Sequence, residues 1–316
     1  MDIKDINGIG EITLTKLADA GIVDLMSLAC TSIKELSQKT GLSESKARKL
    51  SLDARKLLDL GFINGEKIWD ERNKVKHITT GMKSFDKMLG GKGIETGAIT
   101  QVYSKFGMGK TNIAMLLAVT AQLEEPKGVI YIDSESGFRP NRIEDFAKGF
   151  GVKEPLKNIH YAKAHNFENQ VLLVEEAEKL IANGCIKLLI LDSLTSHIRG
   201  EYSGGMGMLA ERQQKLNKHL HQLLKICDLY NVAVFVTNQV ISSPGQFFGD
   251  STLPTGGNIV AHLSTFIIYL RPGKAGSVVA KLMDSPDLPN SQCNYNIGKN
   301  KFEEIIEKPK KEEKVD

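Results

Sequence analysis

The sequence is poor in the residues that mark disulfide-bonded or disordered proteins. Of its 316 residues, 4 are cysteine, 9 are proline and 1 is tryptophan. The cysteines are far apart and form no C-x-x-C pair, which excludes a zinc knot and a redox dithiol. We expect reduced and mostly buried thiols at Cys30, Cys185, Cys227 and Cys293. Because 41% of the residues are hydrophobic, the chain can bury a sizeable core, which excludes global disorder.

The sequence also lacks a membrane span, a signal peptide and an excess of either charge. Its longest apolar stretch, residues 113–119 with their flanks, is too short to cross a bilayer. Residues 1–5 lack the basic-then-apolar layout of a signal peptide. We therefore expect a cytoplasmic protein with no membrane partner. The 41 basic and 38 acidic residues give a net charge of +3, so any site for a polyanion must be local.

Changes of pattern divide the chain into four parts. Residues 1–60 contain short amphipathic stretches separated by glycine turns, which predict a small all-helical module. Residues 61–76 are polar and mixed in charge, and we interpret them as a linker with an adhesive segment. Residues 77–306 alternate apolar runs with helical stretches and predict an α/β core. Residues 307–316 are charged without apolar periodicity, and we expect them to be frayed.

Five apolar runs in the core have the composition of buried strands. Because the runs are nearly continuous rather than alternating, they predict a mostly parallel sheet covered by helices on both faces. The runs are Ala98–Tyr103, Gly128–Asp133, Lys187–Asp192, Val232–Thr237 and Phe266–Leu270.

A phosphate-binding loop is predicted between the first of these strands and the helical run 112–123. Residues 104–111, SKFGMGKT, match G-x-x-x-x-G-K-[ST] except that Ser104 replaces the first glycine. Gly107 and Gly109 let consecutive N–H groups curl around an anion. Lys110 supplies charge at the outer phosphates, and the Thr111 hydroxyl can ligate Mg²⁺. The alternative is a glycine-rich turn with a chance Lys-Thr pair, which the strand-then-helix context disfavours.

Carboxylates and an amide end the neighbouring strands. Asp192 follows an apolar strand, where its carboxylate could contact Mg²⁺. Glu135 is our candidate general base for activating water against a γ-phosphate, and Asp133 is the alternative base. Either acid could instead be an ordinary strand-terminating residue. Gln239 ends a further strand, where its amide could report a γ-phosphate to the next loop or merely cap the strand.

Two glycine-rich stretches are predicted to be functional loops. Residues 241–257 have no clear element of their own, and a loop this long inside a domain is usually functional or disordered. Residues 200–209 contain Tyr202 and are flanked by Arg199 and Arg212. Mobile loops that carry aromatic and basic residues near a nucleotide site suit a single-stranded polyanion better than a small substrate.

These residues resemble the RecA/RadA strand-exchange family, most closely its archaeal branch, over essentially the whole chain. The resemblance is carried by HITTGMKSFD (77–86), GIETGAIT (93–100), YIDSESGFRPNR (131–142), LAERQQKLNKHL (209–220), FFGD (247–250) and GGNIVAH (256–262). It implies a RecA-like ATPase core that uses ATP and Mg²⁺. Subunits would form a helical filament on single-stranded DNA, with ATP between neighbours, and would exchange strands with a homologous duplex. The N-terminal module resembles the family's helix-hairpin-helix domain, which would present backbone amides to duplex phosphates.

The resemblance also implies roles for individual residues. Lys110, Glu135 and Gln239 would be catalytic, and Thr111 and Asp192 would hold the metal. ATP would contact Ser104, Gly107, Met108, Gly109, Lys110, Thr111, Asn112 and Arg142, with His262, Asp284 and Pro289 reaching it from the adjacent subunit. DNA would contact Arg199, Tyr202, Arg212 and Phe247. Two of these residues have ordinary alternatives, since His262 could be a core or capping histidine and Phe247 could pack under its own loop.

The sequence departs from the family pattern at three places. Ser104 must reach a backbone angle that glycine adopts freely, or the loop must shift. Residues 203–208 lack the arginine that the family usually has between glycines, which predicts a lost phosphate contact. Phe62 and Gly65 occupy the family's Phe-x-x-Ala oligomerisation motif, in which glycine lacks a methyl group worth about 0.8 kcal/mol of burial. We expect weakened filament formation, not its loss.

We interpret the chain as a DNA-dependent ATPase that acts as a strand-exchange recombinase. The first alternative is a recombinase paralogue that binds ATP and modulates a recombinase without forming long filaments. The second is a small-molecule P-loop kinase, whose ATP turnover would be indifferent to DNA. For Ser104→Gly we expect turnover to rise or to be preserved.

Overall fold

The N-terminal part of the chain consists of short helices, as its glycine turns predict. In the computed structural model, which describes residues 3–125, 127–202, 206–242 and 252–305, the chain divides into two units, Met1–Lys74 and Val75–Asp316. The first unit contains α1 (Glu11–Asp19), α2 (Leu25–Cys30), α3 (Ile33–Thr40), α4 (Glu44–Leu57) and α5 (Gly65–Asn73).

Side-chain caps fix where the helices of this unit begin. Asp24 accepts a hydrogen bond of 2.7 Å from the Ser27 N–H at the start of α2, and Ser32 and Ser43 cap α3 and α4 in the same way. Gly41 ends α3 in a left-handed conformation, with φ at 65°. The helices enclose a small apolar core around Leu17, Leu28, Leu36 and Leu50, and this confirms the predicted all-helical module.

The helix α5 lies inside the segment that we interpret as a linker, and the sequence pattern did not predict it. Asn64 caps its first turn by accepting a hydrogen bond of 2.9 Å from the Lys67 N–H. None of its residues is buried. The helix therefore has no apolar stripe facing a core, which is the feature that sequence periodicity detects.

The second unit is built on a large mixed sheet. Its strands are β1 (His77–Ile78), β2 (Ile94–Glu95), β3 (Ile99–Ser104), β4 (Gly128–Asp133), β5 (Ile159–Lys163), β6 (Ile186–Asp192), β7 (Ala233–Ser242), β8 (Thr252–Pro254), β9 (Phe266–Pro272), β10 (Val278–Asp284), β11 (Gln292–Ile297) and β12 (Phe302–Ile305). Its helices are α6 (Lys83–Met88), α7 (Lys110–Thr120), α8 (Pro140–Phe150), α9 (Phe167–Ala182), α10 (Ser196–Glu201), α11 (Met206–Tyr230) and α12 (Asn258–Leu263).

The strand order among the described residues is β12-β11-β10-β9-β3-β7-β6-β4-β5, with β8 added to β7 and with β1 and β2 forming a separate pair. The six strands from β9 to β5 in this order are parallel to one another, whereas β10, β11 and β12 continue the sheet antiparallel beyond β9. All five predicted strands are present, and the prediction of a mostly parallel sheet flanked by helices is confirmed.

Alternate residues of the central strands face two separate cores. Val129 and Tyr131 of β4 pack with α6, α7 and α8 on one face, while Ile130 and Ile132 pack with α9, α11 and α12 on the other. Helix α7 is buried along most of its length, which accounts for the apolar stretch 113–119. Within the described residues, no helix combines the length and apolar character needed to cross a bilayer.

Three expectations need correction. The predicted loop 200–209 is short, because α10 extends to Glu201 and α11 begins at Met206. The stretch 241–257 has elements at both ends, since β7 extends to Ser242 and β8 pairs with it antiparallel; residues 243–251, which include Phe247, lie outside the described residues. The expectation of mostly buried thiols is wrong for Cys30 and Cys185, which are exposed.

Candidate nucleotide site

The predicted phosphate loop and the strand-end acids lie at one edge of the sheet. Strands β3, β7, β6 and β4 are adjacent and parallel, so their carboxyl ends meet there. The register pairs Ser104 with Gln239 and Asp133 with Asp192. Residues that are distant in the sequence are thus placed side by side at the edge where ligands bind in open α/β sheets.

The loop between β3 and α7 has the conformation of an anion cradle. Gly107 and Gly109 have φ of 82° and 85°, in the left-handed region that favours glycine. A Cβ atom added at Gly109 would lie 2.4 Å from the Ile297 Cδ1 atom. Helix α7 begins at Lys110, so its unpaired N–H groups and the positive end of its dipole point into the loop.

Ser104 is accommodated without a glycine conformation. It is the last residue of β3, is fully buried and pairs with neighbouring strands on both sides. Ser104 is not among the residues of the described chain that have a positive φ. Of the two expected alternatives, the first, a backbone angle typical of glycine at Ser104, is therefore wrong, because the residue stays in strand geometry.

The Ser104 hydroxyl contacts the lysine of the loop. Lys110 Nζ donates to Ser104 Oγ and to the Ser104 carbonyl, both at 3.2 Å, and to the Lys105 carbonyl at 3.3 Å. The hydroxyl itself donates to the Lys105 carbonyl at 2.8 Å. Burial lowers the pKa of Lys110, and the charges of Glu135 and Asp192 oppose that shift.

The contact between Ser104 and Lys110 predicts the direction in which Ser104→Gly changes nucleotide affinity. An ammonium group has three donors, and all three are engaged, so a phosphate oxygen must displace one acceptor. In Ser104→Gly the hydroxyl acceptor is gone, and one donor is already free. We expect about five-fold tighter binding of an ATP analogue, equivalent to about 1 kcal/mol for one hydrogen bond, measured by titration calorimetry. Weaker binding would mean that the hydroxyl supports the bound phosphate.

Asp192 and Thr111 form an oxygen site beside the loop. The Asp192 carboxylate accepts hydrogen bonds from the Thr237 hydroxyl, from the Tyr131 hydroxyl at 2.8 Å and from Thr111. Burial raises the pKa of Asp192, and these hydroxyl hydrogen bonds oppose the shift. A Cβ atom at Gly137 would lie 3.4 Å from Thr111 Oγ1, so glycine leaves room there.

The donor set fits Mg²⁺ better than a transition metal. Its protein ligands would be a hydroxyl and a carboxylate oxygen, and Mg²⁺ typically takes few protein oxygens and completes its shell with phosphates and water. Among the described residues, no three His, Cys, Asp or Glu side chains cluster in a way that could hold a metal alone.

The two candidate bases have different surroundings. The Asp133 carboxylate is buried and accepts from the N–H groups of Glu135 at 3.0 Å, Gly137 at 3.1 Å and Phe138 at 3.0 Å. It holds the turn that follows β4 and has no free face for water. The Glu135 side chain is exposed, and its Oε1 accepts from Gln239 Nε2 at 2.8 Å. This arrangement favours Glu135.

Arg142 is engaged with the turn between β11 and β12. Its guanidinium donates to Asn112 Oδ1 at 2.9 Å and to the carbonyls of Gly298 and Lys299 at 2.8 and 2.6 Å. The guanidinium also lies 4.1 Å from the centre of the Phe146 ring. Arg142 therefore ties α7, α8 and this turn together, and its contact with ATP stays a prediction.

The residues predicted to reach a neighbouring subunit are on the surface. His262 of α12, Asp284 at the end of β10 and Pro289 in the loop after it are all exposed. The alternative of a core histidine at 262 is therefore wrong. Phe62 is fully exposed, with a relative accessibility of 112%. Gly65 begins α5, and a Cβ atom there would meet nothing within 4 Å.

Tyr202 and Arg212, two of the predicted DNA-side residues, are close to a lysine that the sequence reasoning missed. Tyr202 follows α10, and its hydroxyl accepts a hydrogen bond from Lys215 Nζ, which lies 4.8 Å from the centre of the Tyr202 ring. Arg212 and Lys215 are one helical turn apart on α11. That spacing is the signal by which Lys215 could have been found. Arg199 Nη1 donates to Gln239 Oε1 at 3.2 Å.

Models of known protein families match both units of the chain. The Rad51 family model matches residues 71–305, and the model of a SAM-like helix-hairpin-helix tandem matches residues 1–56. The chain is 44% identical, over 316 aligned residues, to the DNA repair and recombination protein RadA of Methanoculleus marisnigri, and the alignment covers 94% of this chain and 97% of that protein.

Proposed function

This chain belongs to the Rad51 family, and from that premise we propose that it is a DNA-dependent ATPase of homologous recombination. Bound ATP would join protomers into a helical filament, or a ring, on single-stranded DNA. The filament would pair that strand with a homologous duplex and exchange strands in DNA repair. The observation that carries the proposal is the meeting of the phosphate loop, Asp192, Glu135 and Gln239 at one edge of the sheet.

The phosphate loop and its flanks would hold the nucleotide. Backbone N–H groups from Gly107 to Asn112, with Met108 between the glycines, would surround the phosphates, and Lys110 would pair with the outer ones. Thr111 and Asp192 would hold Mg²⁺, which when bound neutralises phosphate charge and stabilises the charge that develops during transfer.

Glu135 and Gln239 would carry the chemistry of hydrolysis. The exposed Glu135 carboxylate would accept the proton of a water molecule aligned with the γ-phosphate. Gln239 Nε2 donates one N–H to Glu135 at 2.8 Å, and a turn of the amide toward a γ-phosphate oxygen would break this contact. The amide would therefore sense the γ-phosphate and release the base in one movement.

DNA and neighbouring protomers would contact exposed and half-buried groups around this edge. The predicted loop 200–209 carries or is flanked by three basic or aromatic residues, Arg199, Tyr202 and Arg212. This combination suits backbone phosphates and stacked bases. His262, Asp284 and Pro289 would complete the nucleotide site of an adjacent protomer. The helix-hairpin-helix module would present the N–H groups near Gly8 and Gly41 to duplex phosphates.

The test is ATP hydrolysis with and without single-stranded DNA. We expect single strands to stimulate turnover by the wild-type chain. Glu135→Gln should lower stimulated turnover at least 100-fold, because a positioned general base typically contributes 10²–10⁴-fold, while binding of ATP is retained. Glu176→Gln, on an exposed position of α9, is the matched control and should turn over normally. Turnover that is indifferent to DNA would instead support a small-molecule kinase.

A second candidate function is favoured by one observation. Gly65 lacks the methyl group of the family's oligomerisation motif, and the space around it is open. A paralogue that binds ATP and modulates a recombinase would bind nucleotide through the same loop but would form no long filaments. Electron microscopy on single-stranded DNA separates the two functions.

A further inference from the structure

The side-chain amide of Gln239 is engaged at both ends. Its Nε2 donates to Glu135 Oε1 at 2.8 Å, and its Oε1 accepts from Arg199 Nη1 at 3.2 Å. The three residues come from the turn after β4, from β7 and from α10. They form a continuous hydrogen-bonded chain from the candidate base Glu135 to α10, the helix that leads into the predicted loop 200–209.

The backbone around this chain is held, whereas its side chains can turn. The Gln239 N–H donates to Asn238 Oδ1 at 2.8 Å, and its carbonyl accepts from the Thr255 N–H at 2.9 Å. Asn238 is fully buried, and its Oδ1 also accepts from the Thr195 hydroxyl at 2.6 Å. The side chain of Gln239 is only half-buried. Its amide can therefore change partners without movement of the strand.

The start of α10 is fixed to the same edge of the sheet. Ser134 Oγ lies 2.8 Å from Ser196 Oγ and accepts from the Ser193 N–H at 2.7 Å. Arg199 lies on the last turn of this helix and is exposed. In the described part of the chain, no carboxylate pairs with its guanidinium, and its hydrogen-bond partner is the neutral amide oxygen of Gln239.

We propose that Arg199 is a positioning residue that restrains Gln239, and through it Glu135, until a phosphate of the polynucleotide binds the Arg199 guanidinium. The proposal rests on the proposed function. A guanidinium binds phosphate through short, charge-assisted and often bidentate hydrogen bonds, which are about twice as strong as those between neutral groups. A phosphate that binds at Nη1 therefore displaces the amide oxygen of Gln239. With that anchor gone, the amide turns its Nε2 toward the γ-phosphate, and Glu135 is free to take a proton from water.

This role has a consequence that a plain phosphate contact does not have. If Arg199 only bound DNA, its removal would weaken DNA binding and leave hydrolysis without DNA unchanged. If it restrains Gln239, its removal raises hydrolysis without DNA, because the amide is already released. The fold-stimulation by DNA then falls for two reasons, a higher basal rate and a weaker contact with DNA.

The experiment compares ATP hydrolysis by wild type, Arg199→Ala and Arg199→Lys, each with and without single-stranded DNA. We expect Arg199→Ala to raise the DNA-free rate about five-fold, the equivalent of one modest hydrogen bond, and to lower the fold-stimulation. Arg199→Lys keeps one cationic donor and should give an intermediate DNA-free rate. Arg271→Ala is the matched control, because Arg271 makes the same type of contact, to Gln292 Oε1 at 3.4 Å, between β9 and β11.

Each outcome decides the proposal. A DNA-free rate that is unchanged or lower in Arg199→Ala, with DNA binding weakened, would reduce Arg199 to a phosphate contact and overturn the inference alone. Wild-type hydrolysis without any stimulation by DNA would overturn the proposed function together with the inference. Arg199 is exposed, so thermal unfolding of the variant should match wild type and confirm that the comparison concerns folded protein.

Discussion

Lys110→Ala should abolish ATP-dependent assembly on single-stranded DNA. The ammonium is the charge of the phosphate loop, and it is already held in place by the carbonyls of Ser104 and Lys105. We expect affinity for ATP to fall by more than about 100-fold, because a desolvated, charge-assisted contact contributes about 3 kcal/mol or more when one partner is removed. Fluorescence anisotropy of labelled single strands, with and without ATP, measures the loss.

The adjacent lysine provides the control for this substitution. The Lys105 side chain is exposed, and only its backbone carbonyl takes part in the loop. Lys105→Ala keeps that carbonyl and should assemble like wild type. ATP-dependent assembly that survives in Lys110→Ala would refute the assignment of the phosphate loop.

Phe62→Ala should convert an associating protein into one that is largely monomeric at micromolar concentration. The ring is fully exposed, at 112% relative accessibility, so its loss leaves the folded protomer intact. If the ring fills a pocket on another protomer, its burial contributes about 1.5–3 kcal/mol, and its removal weakens association about 10- to 100-fold. Sedimentation velocity, with and without an ATP analogue, measures the change.

Two further variants sharpen this measurement. Ile12→Ala removes an apolar side chain of α1 that is also exposed, at 77%, and should leave association unchanged. Gly65→Ala adds the methyl group that the family motif has, at a position with open space around it, and should strengthen association about four-fold. Association that is identical in Phe62→Ala and wild type would exclude the linker as the adhesive segment.

The central strands and the phosphate loop could be predicted because their signals are local. Strands β4 and β6 are apolar on both faces, so unbroken apolar runs identify them. The peripheral strands lack this signal: β5 and β12 are largely exposed or half-buried, and polar residues interrupt their pattern. Helix α5 was not predicted for the same reason, since it has no apolar face that packs against a core.

The roles of individual polar residues could be assigned only from the three-dimensional arrangement. Asp133 and Glu135 are equivalent in the sequence as candidate bases. They differ in the structure because the Asp133 carboxylate accepts hydrogen bonds from the N–H groups of the turn after β4. The contact between Arg199 and Gln239 joins side chains 40 positions apart on different elements, and no sequence period relates them. Ser104 is unusual in the motif but ordinary in the structure, because strand pairing sets its backbone.

Electron microscopy of the protein on single-stranded DNA tests the central claim most directly, namely that a nucleotide held between protomers organises them along the strand. With a slowly hydrolysed ATP analogue, wild type should form regular helical filaments, and without nucleotide it should form none. Filaments of the same regularity in both conditions, or isolated protomers in both, would contradict the account.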